Sequence, residues 1–280
     1  MANIDLNSLL RETEDIAREA GVEIMKYYKN PSTKVATKAD GSFVTDADHA
    51  AEKIVLSRLR VLTPHIPIVS EEAAEKGVRP DISKGTFWVV DPLDGTEGFK
   101  NGTGNFSVAI ALIIDGKVVL GVVYDPVTDT MFSGAGLGTA TKMNSERVRE
   151  PLSVSTAKDN DIRILLNDSS ANILEVESYL KKQFNTAGFD SDHRGTNLRA
   201  MSVASGDADM TVVYPKRREG RTKWWDIAPA HAIVEAAGGT VEGIDGKPLV
   251  YDAEDYQVPQ LVMKGAAKAP VSKGFSKKPA

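Results

Sequence analysis

Residues 88–99 read WVVDPLDGTEGF. An apolar, β-branched run ends on Asp91, a second carboxylate follows at Asp94, and Gly95-Thr96 come directly after. The run TFWVVD (86–91) has the composition of a buried strand, so Asp91 belongs at a strand's carboxyl edge, where layered α/β proteins build their sites. Pro92 forces a bend, because it fixes φ and brings no N–H to a ladder. Asp94 then returns toward Asp91. If a helical turn starts here, the N–H groups of Gly95 and Thr96 point outward and can hold an anion such as phosphate. Cation ligands and an anion cradle thus lie within six residues, and a metal-bridged phosphate satisfies both.

Other readings of these residues stay open at this point. An Asx-rich turn with a structural aspartate would use the same letters. A haloacid-dehalogenase-type phosphatase needs its two acids one residue apart before Gly-Thr, and Pro92 stands where that nucleophile would be. The acid-x-acid metal site of a nucleotide-sugar transferase suits neither the spacing nor the Gly-Thr.

Outward from this segment the chain supplies more acids at element ends. GSFVTDADHAAEK (41–53) places Asp46 and Asp48 at a helix start, with Thr45 and Asp48 spaced as a capping box. IVSEE (68–72) places Glu71 and Glu72 after a short strand, and TKWWDIAPAHAIVEAAGG (222–239) places Asp226 at a helix start. Each has a plain structural reading as well: a solvated turn, a capping acid and a helix N-cap. The four histidines, His49, His65, His193 and His231, fall outside these motifs and are expected to be structural or on the surface; His231, on the helix that starts near Asp226, is the nearest to a site.

The remaining pattern organises the chain. Leu6, Leu9, Leu10, Ile16, Ala17, Ala20, Ile24, Met25 and Tyr28 recur at helical spacing over about six turns. Strands are predicted at 66–70, 86–91, 106–114 and 117–125, with Asp115-Gly116 as a hairpin turn. After Pro151 strands and helices alternate: strand 162–167, helix 171–184, helix 197–206, strand 208–215, helix 226–239. The boundary between two subdomains is expected near residue 150, giving 1–150 and 151–264. Residues 265–280, rich in Lys, Pro, Ala, Ser and Gly, are expected to form a disordered tail.

Bulk composition narrows the function classes. The 280 residues can bury a sizeable core. A net charge of −5 argues against a nucleic-acid polymer as partner. The absence of cysteine excludes disulfides and thiolate chemistry. No apolar run is long enough to span a membrane, the N-terminus lacks a signal pattern, and a cytoplasmic protein is expected.

The acid-rich helix start, SEE, DPLDGT and the WD-helix-AGG segment, in that order, resemble the magnesium-dependent, lithium-sensitive phosphatases of the inositol monophosphatase superfamily. The resemblance covers residues from about 10 to 262. VTDADHAAEKIVLSRLRVLTPHIPIVSEE, WVVDPLDGTEGF, NFSVAIALIIDGKVVLGVVYDPV and the AHA within WWDIAPAHA look most like the bacterial 3'(2'),5'-bisphosphate nucleotidases of sulfate assimilation. Inositol monophosphatases usually continue Asp-Gly-Thr with Thr-Asn-Phe, whereas this chain has Thr96-Glu97-Gly98-Phe99.

The resemblance implies an α/β (α+β) fold, a layered αβαβα sandwich with a cleft between its two parts. It implies two or three Mg²⁺ ions. Glu71, Asp91 and the Leu93 carbonyl would hold one; Asp91, Asp94 and Asp226 would hold a second; Glu71 would face a weaker third through water. Asp48 and Thr96 would relay a proton from the attacking water, with Glu71 assisting, and the N–H groups of Gly95 and Thr96 would hold the phosphate. The implied reaction is hydrolysis of 3'-phosphoadenosine 5'-phosphate to AMP and phosphate. The alternatives are an inositol-1-phosphate or broad sugar-phosphate phosphatase, and a non-catalytic protein that binds phosphometabolites. A homodimer is compatible with the resemblance.

Departures mark where substrate recognition is open. NDSSANILE (167–175) matches the nucleotidases weakly. Arg199 stands in HRGTNLRAMSVASGDAD (193–209) where lysine is usual, and it could pair a phosphate with more directional bonds. PKRREGRTK (215–223) brings Arg217, Arg218 and Arg221 close in sequence to Asp226, either as a solvated loop or as the contact for a second substrate phosphate.

Overall fold

Leu9, Leu10, Ile16, Ala17, Ala20 and Ile24 form one buried face of the first helix, α1 (Leu6–Tyr27). Asp5 caps it by accepting the N–H groups of Asn7 and Ser8 at 3.1 and 3.2 Å, which satisfies donors that a helix start leaves free. This computed structural model describes residues 5–38, 43–156, 162–167, 173–184, 188–214 and 222–266. After α1 come β1 (Val35–Thr37), β2 (Phe43–Thr45), α2 (Asp46–Leu62), β3 (Ile68–Ser70), α3 (Glu71–Glu75), β4 (Thr86–Asp94) and α4 (Thr96–Lys100). The meander continues with β5 (Ser107–Ile114), β6 (Lys117–Asp125), β7 (Thr130–Gly134), β8 (Thr141–Met143) and β9 (Arg149–Pro151). The rest is β10 (Ile164–Leu166), α5 (Ile173–Phe184), β11 (Asp190–Ser191), α6 (Thr196–Ala204), β12 (Met210–Val213), α7 (Ala228–Ala236), β13 (Thr240–Gly243) and β14 (Leu261–Lys264).

Seven strands lie in the order β3-β4-β5-β6-β7-β8-β9, antiparallel except for the β3–β4 pair. The β5–β6 hairpin turns at Asp115 and Gly116, both at positive φ (50° and 74°), as a tight two-residue turn requires. Side-chain alternation divides this sheet between two cores. Trp88, Val90, Val108, Ile110 and Leu112 pack under α1 and α2. Phe87, Val89, Ala109, Ala111 and Ile113 face the other way, toward α6 and α7. Where α7 lies close to that second face, at β6 and β7, glycines make room for it. A Cβ on Gly121 of β6 would come within 2.2 Å of the Pro229 carbonyl oxygen.

The second sheet has five strands in the order β11-β10-β12-β14-β13, with parallel and antiparallel pairs. Helices α6 and α7 are sandwiched between the two sheets, and α5 covers the outer face through Val176 and Leu180 against Ile164, Leu166, Met210, Val212 and Val262. The layers therefore run α-β-α-β-α. The middle core joins Phe87 and Val89 of the first sheet to Trp224, Ile227 and Ile233 of the later segment.

Three expectations change. Strand β4 does not end at Asp91: it runs on through Pro92 to Asp94, which pairs with Ser107 beyond a register shift between Asp91 and Asp94. Proline is tolerated there because the β3 partnership stops at Val90, so no neighbour needs its missing N–H. Asp226 is not the N-cap of α7: Ile227 holds that position, and Asp226 Oδ2 accepts the Lys223 N–H at 2.7 Å instead. Gly265 and Ala266 are not loose: their N–H groups bond the Asp209 and Ser155 carbonyls at 2.8 and 3.0 Å. The rest of the expected tail (267–280), the basic loop with Arg217, Arg218 and Arg221, and residues 168–172 lie outside the described residues.

Candidate active site

The register shift in β4 turns the strand end into a cleft floor. Asp91 Oδ1 accepts the Leu93 N–H at 3.0 Å, and Asp91 is 2% exposed. Gly95 follows with φ 91°, and a Cβ there would lie 2.4 Å from the Asn105 carbonyl oxygen. Only glycine fits both the left-handed conformation and that approach. Thr96 then opens α4, and its hydroxyl lies 3.3 Å from Asp48 Oδ1 and 3.2 Å from the Leu93 carbonyl oxygen.

Asp48 arrives from the first turn of α2, where the expected capping box is formed. Its Oδ2 accepts the Thr45 N–H at 2.8 Å and the Thr45 hydroxyl at 2.6 Å. Burial pushes its carboxyl up to about 6, with Glu72 adding to the rise and the Thr45 bonds opposing it. One oxygen is thus held by the helix cap while the other faces Thr96.

Glu71 starts α3 at the end of β3. Burial raises its carboxyl to about 8, the Asp226 charge adds to this, and Lys38 opposes it. Asp91 is pushed well above the ordinary carboxylate range by burial, then by the charges of Glu71, Asp94 and Asp226. Each of these three neighbours comes from a different segment. Asp94 is held by the α6 N-terminus: its Oδ2 accepts the Asn197 N–H at 3.0 Å. A Cβ on Gly195 would come within 2.6 Å of the same oxygen. Four carboxylates thus crowd one place with more negative charge than its buried surroundings solvate, which a divalent cation would neutralise. An all-oxygen donor set suits a hard ion such as Mg²⁺.

The cleft that holds these groups has a volume of about 1290 Å³ and is lined by Glu71, Asp91, Leu93, Asp94, Gly95, Thr96 and Asp226 together. Arg199 also lines it, but its guanidinium is buried and engaged, with Nε donating to Thr211 Oγ1 at 3.0 Å and Nη1 to the Arg194 carbonyl at 3.1 Å. Burial lowers its pKa, and the Asp192 and Asp94 charges oppose that. His231 turns away into the core, with Nδ1 2.8 Å from the Tyr251 hydroxyl and Nε2 3.2 Å from Glu235. His193 and His49 do reach the cleft wall.

Two features escaped the sequence reading. Glu71, Glu72 and Glu75 bring carboxylate oxygens within 4.8 Å of one another. Lys38 places its ammonium 2.7, 2.6 and 2.9 Å from these three groups, and Glu71 and Glu72 raise its pKa against the cost of its burial. The spacing of Glu71 and Glu75 on one helical face could have suggested the cluster. Nothing in the local sequence announces Lys38, which reaches the site from beyond β1.

Comparison with known proteins places the chain in a family. The model of the inositol monophosphatase family matches residues 5–273. The 3'(2'),5'-bisphosphate nucleotidase CysQ of Escherichia coli K12 is 39% identical over 245 residues, covering 87% of this chain and 94% of the relative. The Nus factor SuhB of the same strain is 33% identical over 239 residues, covering 82% and 83%. Among solved structures, CysQ from Bacteroides thetaiotaomicron superposes with a TM-score of 0.75 at 28% identity, covering 95% of this chain and all (100%) of that one. An inositol monophosphatase from Anabaena gives 0.71 at 25%, covering 94% and 93%. With a family model spanning nearly the whole chain and relatives of like length, the protein belongs to the inositol monophosphatase family and is a phosphoric monoester hydrolase.

Proposed function

We propose that the protein is a Mg²⁺-dependent 3'(2'),5'-bisphosphate nucleotidase that hydrolyses 3'-phosphoadenosine 5'-phosphate to AMP and phosphate. The chemistry rests on one observation above all: the buried Asp91 carboxylate is crowded by Glu71, Asp94 and Asp226 in a single cleft. The substrate rests on likeness to CysQ, at 39% identity.

In this reading Glu71, Asp91 and the Leu93 carbonyl would hold one Mg²⁺, and Asp91, Asp94 and Asp226 would hold a second. Glu71 would also face a third, weaker ion through water. When bound, the ions lower the pKa of water and stabilise the leaving oxygen of an in-line displacement. The chain's own groups do the rest. Asp48, anchored by Thr45, takes the Thr96 hydroxyl proton across the 3.3 Å contact. Thr96 Oγ then takes a proton from the attacking water, with Glu71, which lines the same cleft, assisting. The water oxygen bonds to phosphorus, the phosphorus–ester oxygen bond breaks, and the departing ester oxygen takes a proton from a solvent water to become the 3'-hydroxyl of AMP. The Gly95 and Thr96 N–H groups orient the phosphoryl oxygens. Selectivity for a bisphosphate requires a further cationic contact, for which Arg199, Arg217, Arg218 and Arg221 are the candidates. The reading also places the enzyme in the cytoplasm and makes it sensitive to Li⁺, and among the described residues no helix is long and apolar enough to cross a membrane.

The test is phosphate release from 3'-phosphoadenosine 5'-phosphate, inositol 1-phosphate and fructose 1,6-bisphosphate at equal concentration, with and without Mg²⁺. Preference for the nucleotide, lost on chelation, is expected. Preference for inositol 1-phosphate would replace the nucleotidase reading with the sugar-phosphate one, which the likeness to the Anabaena enzyme supports. No turnover of any substrate would leave a binding protein.

A further inference from the structure

We infer that Asn197 is a positioning residue that fixes the spacing of Asp94 and Asp226, and through it the affinity of the Mg²⁺ site they form. The inference rests on the phosphatase reading above, but concerns a residue that touches neither substrate nor ion.

Asp94 and Asp226 are 132 positions apart and stand on different parts of the fold, at the end of β4 and in the turn before α7. A shared ion needs their oxygens at a set separation, because Mg²⁺ demands near-ideal octahedral geometry. Asn197 contacts both segments. Its main-chain N–H donates to Asp94 Oδ2 at 3.0 Å. Its side-chain Nδ2 donates to the Trp225 carbonyl at 3.4 Å, the peptide that leads directly into Asp226. Its Oδ1 accepts the Ala230 N–H at 3.2 Å, in the first turn of α7. The residue has no exposed surface (0%), so none of these bonds is diluted by water.

The local backbone is built for the same purpose. Gly195 leaves the space that Asp94 Oδ2 occupies, since a Cβ there would lie 2.6 Å from that oxygen. Its φ is −50°, so what demands glycine is the close approach of Asp94 and not the backbone conformation. The N-terminus of α6 thereby grips Asp94 from the second part of the chain, while the Asn197 amide grips the approach to Asp226. A buried asparagine could merely stabilise the junction, and the two roles predict different measurements.

Groups that orient metal ligands without touching the ion typically contribute 10–100-fold in metal affinity. Asn197→Ala removes both amide bonds and keeps the main-chain N–H to Asp94. Calorimetric titration with Mg²⁺ alone is expected to show affinity weakened about tenfold or more. The rise in melting temperature that a given Mg²⁺ concentration produces should shrink accordingly. Turnover should recover at saturating Mg²⁺. Asn197→Ser, whose hydroxyl can still accept the Ala230 N–H, should bind Mg²⁺ between the two. If Asn197→Ala does not fold, Asn197→Ser is compared directly with wild type and is expected to bind more weakly. A lower metal-free melting temperature with wild-type Mg²⁺ affinity in the variant that folds overturns the inference and makes Asn197 structural. A wild-type chain that binds no Mg²⁺ overturns the phosphatase reading along with it.

Discussion

Asp94 owes its place to backbone geometry and not to its charge. It pairs in the ladder with Ser107, and its Oδ2 is bonded to the Asn197 N–H. Asp94→Asn retains shape and an acceptor oxygen while removing the charge. Melting temperature without Mg²⁺ should hold, whereas turnover should fall about a thousandfold, as loss of about 4 kcal/mol of transition-state stabilisation implies. Near-normal turnover at saturating Mg²⁺ would remove Asp94 from the ligand set. Thr96 makes a narrower claim. Its hydroxyl touches Asp48 and the Leu93 carbonyl, so it could be a proton relay or only a turn residue. As a relay, Thr96→Ala lowers kcat by about 10²–10⁴ with a smaller change in KM, and Thr96→Ser, which keeps the hydroxyl, restores most of the rate. A loss of thermal stability with kcat intact would reduce Thr96 to its turn.

At the scale of elements, the site is assembled from ends. The end of β4 delivers Asp91 and Asp94, and the first turns of α2, α3, α4 and α6 and the turn before α7 deliver the other groups. The first turn of α2 shows how a stability device also serves the site. The Thr45 hydroxyl caps the helix by accepting the Ala47 N–H at 3.1 Å, and it donates to Asp48 Oδ2 at 2.6 Å. Thr45→Ala removes both. The lost cap is worth about 1 kcal/mol, or about 2–4 °C in melting temperature for a chain of this size. Asp48 also loses an anchor, so kcat should fall more than the small loss of folded protein explains. Differential scanning calorimetry and steady-state rates on the same preparation separate the two effects; a melting shift with unchanged kcat would mean that Asp48 is held by the Thr45 N–H alone.

For the whole molecule, the decisive feature is the core between the sheets. Phe87 stacks on Trp224 with ring centroids 5.4 Å apart, and Gly121 lets α7 rest against β6. Neither sheet can keep its inner face buried without the helices supplied by the later part of the chain. Unfolding in urea should therefore follow one transition, coincident by far-ultraviolet circular dichroism and by tryptophan fluorescence. Two separated transitions would mean that the parts before and after residue 150 fold independently. The same packing sets most of the acids on elements that are packed from both sides.

Much of this was legible in the sequence because it depends on short-range chemistry. The apolar period of α1, the capping box at Thr45 and Asp48, the Asp115-Gly116 hairpin and the order of the acidic segments all follow from spacing along a few residues. The layered fold and its family followed from that order. What local sequence could not convey was set by contacts between distant segments. Strand β4 passes Pro92 because its β3 neighbour has already ended. Asp226 bonds back to Lys223 instead of capping α7. Arg199 is anchored in the cleft wall by Thr211 and the Arg194 carbonyl. Lys38 meets Glu71, Glu72 and Glu75 from 33 or more positions away, and Asn197 meets Asp94 from 103. Local sequence specifies which groups an element end presents, because capping and turn chemistry act within a few residues. Only tertiary packing decides which ends meet, because burial and charge crowding exist only once the segments are brought together.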